Sequence, residues 1–238
     1  MTLHYISTTP AVQDRLLREI YSAIAEGRIS RPVIKDSEAR QLPYLQATIK
    51  EGLRMYPPVT GLLAKQTPPD GAYIDDRFAP PGTWIAWNSW GMMRDQSIFG
   101  IDAEIFRPER WLPPSGPSAA KDTARLDRMT ETIGLVFGYG RFGCLGRGVA
   151  YMELNKAIIE LLLRFTIQPI NIGRPFVEKC VGFFLHTEMY FRVTRRETPE
   201  ETSSEATPSS VGAEESSTVA TVTDTATEEA SRPTTIST

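Results

Sequence analysis

Prolines decide what the middle of this chain can become. Ten of the eighteen prolines in the 238-residue sequence fall between positions 57 and 117. Each fixes its own backbone φ, removes a hydrogen-bond donor and pushes the preceding residue out of the helical region. Such a stretch excludes a long helix and a broad central sheet. The β-prone pieces between the prolines (residues 61–66, 72–74 and 83–87) are short. Asp70-Gly71 and Pro81-Gly82 are turn signals. A small sheet followed by an irregular meander is expected here.

Helical patterns flank this stretch. Over 9–27, Thr9 suits the N-cap and Pro10 the first helical position. Val12, Leu16, Leu17, Ile20 and Ile24 share one face, and Gly27 suits the C-terminal stop. Over 43–56, Pro43 opens a helix with Leu45, Ile49, Leu53 and Tyr56 on its apolar face, and Pro57-Pro58 ends it. Residues 144–165 predict a third helix, with Val149, Met152, Leu154, Ile158, Leu161, Leu162 and Phe165 among its apolar positions. Residues 176–195 predict one or two strands. The expected class is mainly α with small β-sheets, an α+β arrangement.

The charge is unevenly distributed. Residues 197–238 carry nine acids and one base, and 19 of these 42 residues are Ser or Thr. That leaves the tail at −8 and residues 1–196 at +5. With no aromatic residue, the tail cannot bury enough apolar surface to offset the entropy of ordering it, and it is expected to be disordered. The folded unit is therefore expected at 1–196. It has no Lys/Arg run of the kind that binds nucleic acid. No stretch reaches the length of a transmembrane helix, and the N-terminus lacks the pattern of a signal peptide. Two cysteines do not make a disulfide framework, so a reducing compartment is expected.

The stretch most informative for chemistry is 137–148, where Gly138, Gly140, Gly143, Gly146 and Gly148 surround Cys144. Glycines let backbone approach a bulky flat ligand closely. A helix beginning at or just after Cys144 places the sulfur near the positive end of a dipole, which favours the metal-binding thiolate. A buried thiolate there suits an axial ligand to haem iron.

This segment resembles the cysteine-ligand loop of the cytochrome P450 family, Phe-x-x-Gly-x-Arg-x-Cys-x-Gly. Phe137, Gly140, Cys144 and Gly146 match. The family's Arg two before the Cys is replaced by Phe142, with Arg141 one step earlier. Two further elements resemble the same family. Glu51-Gly52-Leu53-Arg54 is similar to its Glu-x-x-Arg helix, and Phe106-Arg107-Pro108-Glu109-Arg110-Trp111 to its Pro-Glu-Arg-Phe element. Met93-Arg94-Asp95 is similar to its His-Arg-Asp. The wording of the segments resembles fungal members such as pisatin demethylase and benzoate para-hydroxylase.

The resemblance implies the C-terminal part of the family fold, with haem held through an axial thiolate from Cys144. Phe137, Gly140, Arg141, Gly146 and Lys65 would line the cofactor, Arg141 and Lys65 near its propionates. A structural triad of Glu51, Arg54 and Arg110 would hold the meander. Val59-Thr60-Gly61 and Gly182–His186 would face substrate. The implied reaction is insertion of oxygen into a small organic substrate, with electrons from NADPH through a cytochrome P450 reductase. Family members are anchored at the endoplasmic reticulum; with no anchor in the sequence, a cytoplasmic location is expected for the chain as given. No residue is assigned a catalytic role, because the family's oxygen-activating helix falls upstream of Met1 and Thr2 is too close to serve. The alternative is a truncated, non-catalytic fragment or an incomplete gene model. A zinc site from Cys144, Cys180, His4 and His186 lacks paired-ligand spacing. Trp84, Trp87 and Trp90 are expected to pack in the core of the meander.

Overall fold

The computed structural model describes residues 1–113 and 123–196 and the backbone of 119–122 and 219–220. Its helices are α1 (Thr2–Thr8), α2 (Pro10–Ala25), α3 (Asp36–Ala39), α4 (Pro43–Met55), α5 (Ser89–Met92), α6 (Gln96–Phe99), α7 (Ala119–Gly134) and α8 (Arg147–Arg164). Its strands are β1 (Lys65–Gln66), β2 (Ala72–Ile74), β3 (Arg77–Ala79), β4 (Trp84–Ile85), β5 (Phe165–Pro169), β6 (Val177–Cys180), β7 (Phe184–Thr187), β8 (Phe191–Arg195) and β9 (Val219–Ala220). The architecture is helical with small antiparallel sheets: β1 with β4, β2 with β3, β6 with β7, and β5-β8-β9.

The core lies where α2, α4, α7 and α8 meet. Leu16 and Ile20, Leu45 and Ile49, Met129 and Ile133, and Ile158 and Ile159 are all buried there. Helix α4 is buried on nearly every side, charged residues included. Its N-terminus has no side-chain cap of its own. Glu19 on α2 fills that role, accepting hydrogen bonds from the Tyr44 and Leu45 N–H groups at 2.8 and 2.9 Å. A carboxylate there satisfies orphan donors and complements the helix dipole. Burial pushes the Glu19 carboxyl up in spite of these bonds. At Gly52, a Cβ would collide with the Thr2 side chain, so glycine is what lets α1 lie against α4.

The prolines trim the expected strands. Residues 61–66 form only Lys65–Gln66, and 83–87 only Trp84–Ile85. Residues 176–195 instead yield three strands, because Gly182 (φ 92°) and Glu188 (φ 57°) turn the chain twice. Helix α7 was not expected. Trp84 corrects another expectation: it is 69% exposed, because its two-residue strand pairs with β1 and, among the described residues, no other strand pairs with it. Trp87 and Trp90 are half-buried. The expectation of disorder for 197–238 lies outside the described residues, apart from Val219–Ala220, which pair with Arg192 and Phe191 of β8.

Candidate functional site

The loop carrying Cys144 folds back on itself. The Cys144 N–H donates to the Phe137 carbonyl at 2.7 Å, tying the two ends of the glycine-rich segment together. This closure needs Gly138, whose φ is +79° and where a Cβ would sit 2.8 Å from the Phe142 carbonyl oxygen. A 3₁₀ turn over Gly140–Phe142 follows. Helix α8 then opens at Arg147 with Gly146 as its cap. The Cys144 carbonyl accepts the Arg147 N–H at 3.3 Å, so the sulfur stands just ahead of the helix's positive end. A Cβ at Gly146 would lie 3.7 Å from Cys144 Sγ, against the sulfur.

Cys144 is exposed rather than buried as expected. The reason is local: no described element packs over the outer side of the loop, and Leu145, Tyr139 and Phe142 are exposed with it. Exposed apolar side chains so concentrated on one loop mark a surface meant to be covered. The loop borders a cleft of about 960 Å³ lined by Phe137, Gly140, Cys144 and Arg147 together with Glu131 and Leu135 of the preceding segment. A second cleft of about 410 Å³ has a mostly apolar lining that includes Leu53, Pro58, Phe137, Ala150, Leu154 and Ile158. A single thiol at a helix start, glycine on both sides of it and apolar walls fit a large, flat, sulfur-ligated macrocycle.

Lys65 and Arg141 arrive at one place. The Lys65 ammonium lies 4.2 Å from the centroid of the Phe142 ring, and the Arg141 guanidinium 4.6 Å from it. The residue that breaks the family pattern therefore holds both cations that the sequence pointed to.

The Glu51 carboxylate sits at the centre of a fully buried charge cluster. It receives Arg54 through two bonds of 2.9 and 2.8 Å and the Arg110 Nε at 2.9 Å. The Trp111 indole N–H and the Arg107 backbone N–H, each at 2.8 Å, complete the shell. The guanidinium groups satisfy carbonyls of the meander in turn: Arg54 donates to Met93, Ala103 and Ile105, and Arg110 to Phe99, Asp102 and Ile105. Burial pushes the Asp102 carboxyl up, but Arg110 and Arg107 outweigh it and hold it below its ordinary value. Arg94 reaches the Met55 carbonyl at 2.8 Å, tying its segment to the end of α4. Sequence reasoning missed Trp111 and Arg107; their place beside Arg110 in the same short element was the available signal.

His4 and His186 join an aromatic cluster with Phe176, whose ring centroid lies 5.4 Å from His4 and 4.9 Å from His186. His186 Nε2 lies 3.1 Å from the Glu178 carboxylate, and Cys180 Sγ 3.1 Å from the Thr60 hydroxyl. The Gly182 carbonyl accepts the Thr60 and Gly61 N–H groups at 2.8 and 2.7 Å, pinning the β6–β7 turn to the segment after α4. Among the described residues, no group of three or more His, Cys, Asp and Glu side chains could hold a metal ion.

The Cytochrome P450 family profile matches residues 1–191. The chain belongs to this family. It is 42% identical over 195 residues to the cytochrome P450 monooxygenase ABA1 of Pyricularia oryzae, covering 82% of this chain and 37% of that protein. It is 40% identical over 199 residues to the monooxygenase aba1 of Botryotinia fuckeliana, covering 84% of this chain and 38% of the relative. The chain thus spans well under half the length of these fungal P450 relatives. The fold likeness extends to a crystal structure of a cytochrome P450, with a TM-score of 0.65, 25% identity, and coverage of 82% of this chain and 40% of that one. Among the described residues, no helix is long and apolar enough to cross a membrane.

Proposed function

We propose that this chain is the haem-ligating portion of a fungal haem-thiolate monooxygenase, with Cys144 as the protein ligand to iron. The loop geometry carries this reading: one thiol, exposed at the start of α8, is framed by Gly143 and Gly146 and borders an open cleft. The chemistry the bound haem supplies is activation of O2 and insertion of one oxygen atom into a small organic substrate. The chain's own contribution is positional. The Phe137 carbonyl fixes the Cys144 backbone, and Gly146 leaves room beside the sulfur. Phe137, Ala150 and Leu154 provide apolar wall, and the Glu51, Arg54 and Arg110 cluster holds the meander in register with α4.

Turnover, the small organic substrate, and electrons from NADPH through a cytochrome P450 reductase are proposed for the whole protein, as is attachment at the endoplasmic reticulum. Oxidation of a fungal secondary metabolite is the proposed setting, and the fungal relatives are themselves cytochrome P450 monooxygenases. For the test, the chain is purified with haem, reduced and exposed to carbon monoxide. The expected result is a red-shifted Soret band that disappears in Cys144→Ala. A wild-type chain that shows no such band refutes thiolate ligation.

A further inference from the structure

We propose that the small cleft at the end of α4 takes the hydroxyl group of an otherwise apolar alcohol, with His186 and Tyr56 as the residues that select it. The cleft has a volume of about 200 Å³. Its walls include Leu53, Tyr56 and Pro58, at and just after the end of α4, and Phe184 and His186 of β7. Leu53 and Pro58 also line the mostly apolar cleft of about 410 Å³, so the two openings share a wall. A polar pair at one end of an apolar space is the arrangement that fixes how a small ligand lies. The site is built from α4 and the β6–β7 hairpin and needs no haem. It rests on the proposed monooxygenase reading only in taking that alcohol as the class of substrate.

Glu178 decides what the histidine can offer. Its carboxylate lies 3.1 Å from His186 Nε2. An ionised carboxylate only accepts hydrogen bonds, so the imidazole proton belongs on Nε2 and Nδ1 is left as an acceptor. Among the described residues, Nδ1 has no hydrogen-bond partner. The ring is packed by Phe176, Tyr56 and Phe184, whose centroids lie 4.9, 5.2 and 5.9 Å from its own. Burial holds His186 below its ordinary value of 6.5, so it is neutral at pH 7.5. Burial, and then Glu178, push the Tyr56 hydroxyl up, so Tyr56 stays a neutral phenol able to give or take a bond. A hydroxyl complements both groups, donating to Nδ1 and accepting from Tyr56. A ketone can only accept and meets Tyr56 alone. The Met1 ammonium also borders the cleft, so a cationic ligand meets a like charge there.

The test uses the full 238-residue chain, in which His4 and His186 are the only histidines, so their ring signals are readily told apart by NMR. Three probes share one six-membered ring: cyclohexanol, which donates and accepts, cyclohexanone, which only accepts, and cyclohexanecarboxylate. Ligand-observed titrations give the dissociation constants, and the His186 ring carbons report tautomer and contact. His186 is expected in the Nε2–H form, with signals that move on adding cyclohexanol. Cyclohexanone should bind roughly tenfold more weakly, the loss of about one hydrogen bond, and the carboxylate more weakly still. His186→Phe keeps an aromatic ring beside Phe176 and should bring cyclohexanol down to the level of the ketone. Tyr56→Phe should weaken both neutral probes. Glu178→Gln, whose amide can donate as well as accept, should mix the tautomers and narrow the gap between alcohol and ketone. Equal affinity of the wild type for cyclohexanol and cyclohexanone overturns the proposal. So does tighter binding of the carboxylate, which marks the Met1 ammonium as the group that answers. A His186 signal that no probe moves removes the site. A cyclohexanol site in a chain without a Cys144-dependent Soret band upholds the alcohol site and refutes only its reading as a monooxygenase substrate site.

Discussion

Replacing Glu51 by glutamine preserves the shape of the side chain and removes its charge. The carboxylate is wholly buried and accepts five hydrogen bonds, from Arg54 twice, Arg110, Trp111 and the Arg107 backbone. Glutamine has one acceptor oxygen and an NH2 group that faces donors, so several of these bonds become repulsive contacts. More costly still, the Arg54 guanidinium stays buried without a counter-charge, and Arg110 keeps only Asp102. Breaking one partner out of a buried ion cluster costs roughly 3–5 kcal/mol, which is a large share of the ~5–15 kcal/mol that holds a domain folded. Urea unfolding of Glu51→Gln, followed by circular dichroism and by tryptophan emission, should therefore show a sharply lower midpoint. The companion Glu51→Asp keeps the charge but is too short to span both arginines, and should fall between the two. Replacing Glu51, Arg54 and Arg110 together by apolar residues of similar volume should not recover the loss, because the carbonyls of Met93, Phe99, Ala103, Asp102 and Ile105 and the Trp111 and Arg107 N–H groups would be left without partners. A Glu51→Gln unfolding free energy within about 1 kcal/mol of wild type would refute the reasoning, since it would mean the arginines find other partners.

Two further outcomes follow from the geometry. Gly138→Ala puts a Cβ 2.8 Å from the Phe142 carbonyl oxygen at a φ of +79°, so it should lower stability by about 2 kcal/mol or more in thermal melts. His4 and His186 are both held below the ordinary value of 6.5, chiefly by burial, with Glu178 opposing the shift at His186. The unfolded chain therefore binds protons that the folded one refuses: stability is full above pH 6.5 and is lost as pH falls through that value towards the lower folded ones. His4→Phe should make the loss shallower, and a steeper loss in a pH series of melts would contradict the assignment.

How far the sequence was legible depended on the range of the forces involved. Helices α2, α4 and α8 were legible because Leu16 and Ile20, Leu45 and Ile49, and Ile158 and Leu162 repeat at helical spacing. Helix α7 carries the same signal in Leu126, Met129 and Ile133, but its charged composition and proline-rich approach hid it. The two-residue strands were legible only as regions, since their ends are set by prolines and by whichever partner strand is within reach. The glycine frame around Cys144, and the helix start just after it, were legible. The exposure of Cys144 was not, because burial depends on what packs over a loop rather than on the loop itself. Trp111 and the Arg107 N–H belong to the Glu51 cluster only because a 3₁₀ turn at Pro108–Trp111 aims them there. The meeting of Lys65 with Phe142 joins two segments with no periodicity in common, and only the fold brings them together.

The buried charge and the cysteine loop are coupled through one helix rather than by direct contact. Helix α4 carries Glu51 and Arg54 towards the meander and Gln46 towards α8. There the Gln46 amide donates to Asn155 Oδ1 at 2.9 Å, and Asn155, wholly buried, donates to Asp36 at 2.7 Å. The α4–α8 contact thus has its own polar lock, independent of the Glu51 cluster. Loosening that cluster frees the carbonyls of Met93, Phe99, Ala103 and Ile105 before it disturbs α8. Hydrogen exchange in Glu51→Gln should accordingly rise first over residues 93–111. The folded fraction should keep its Cys144 N–H to Phe137 contact, because the backbone bonds that close that loop lie within residues 135–150. Faster exchange at Cys144 itself, at a denaturant concentration where α8 is still protected, would mean that the meander supports the loop directly and that α4 is not the intermediary.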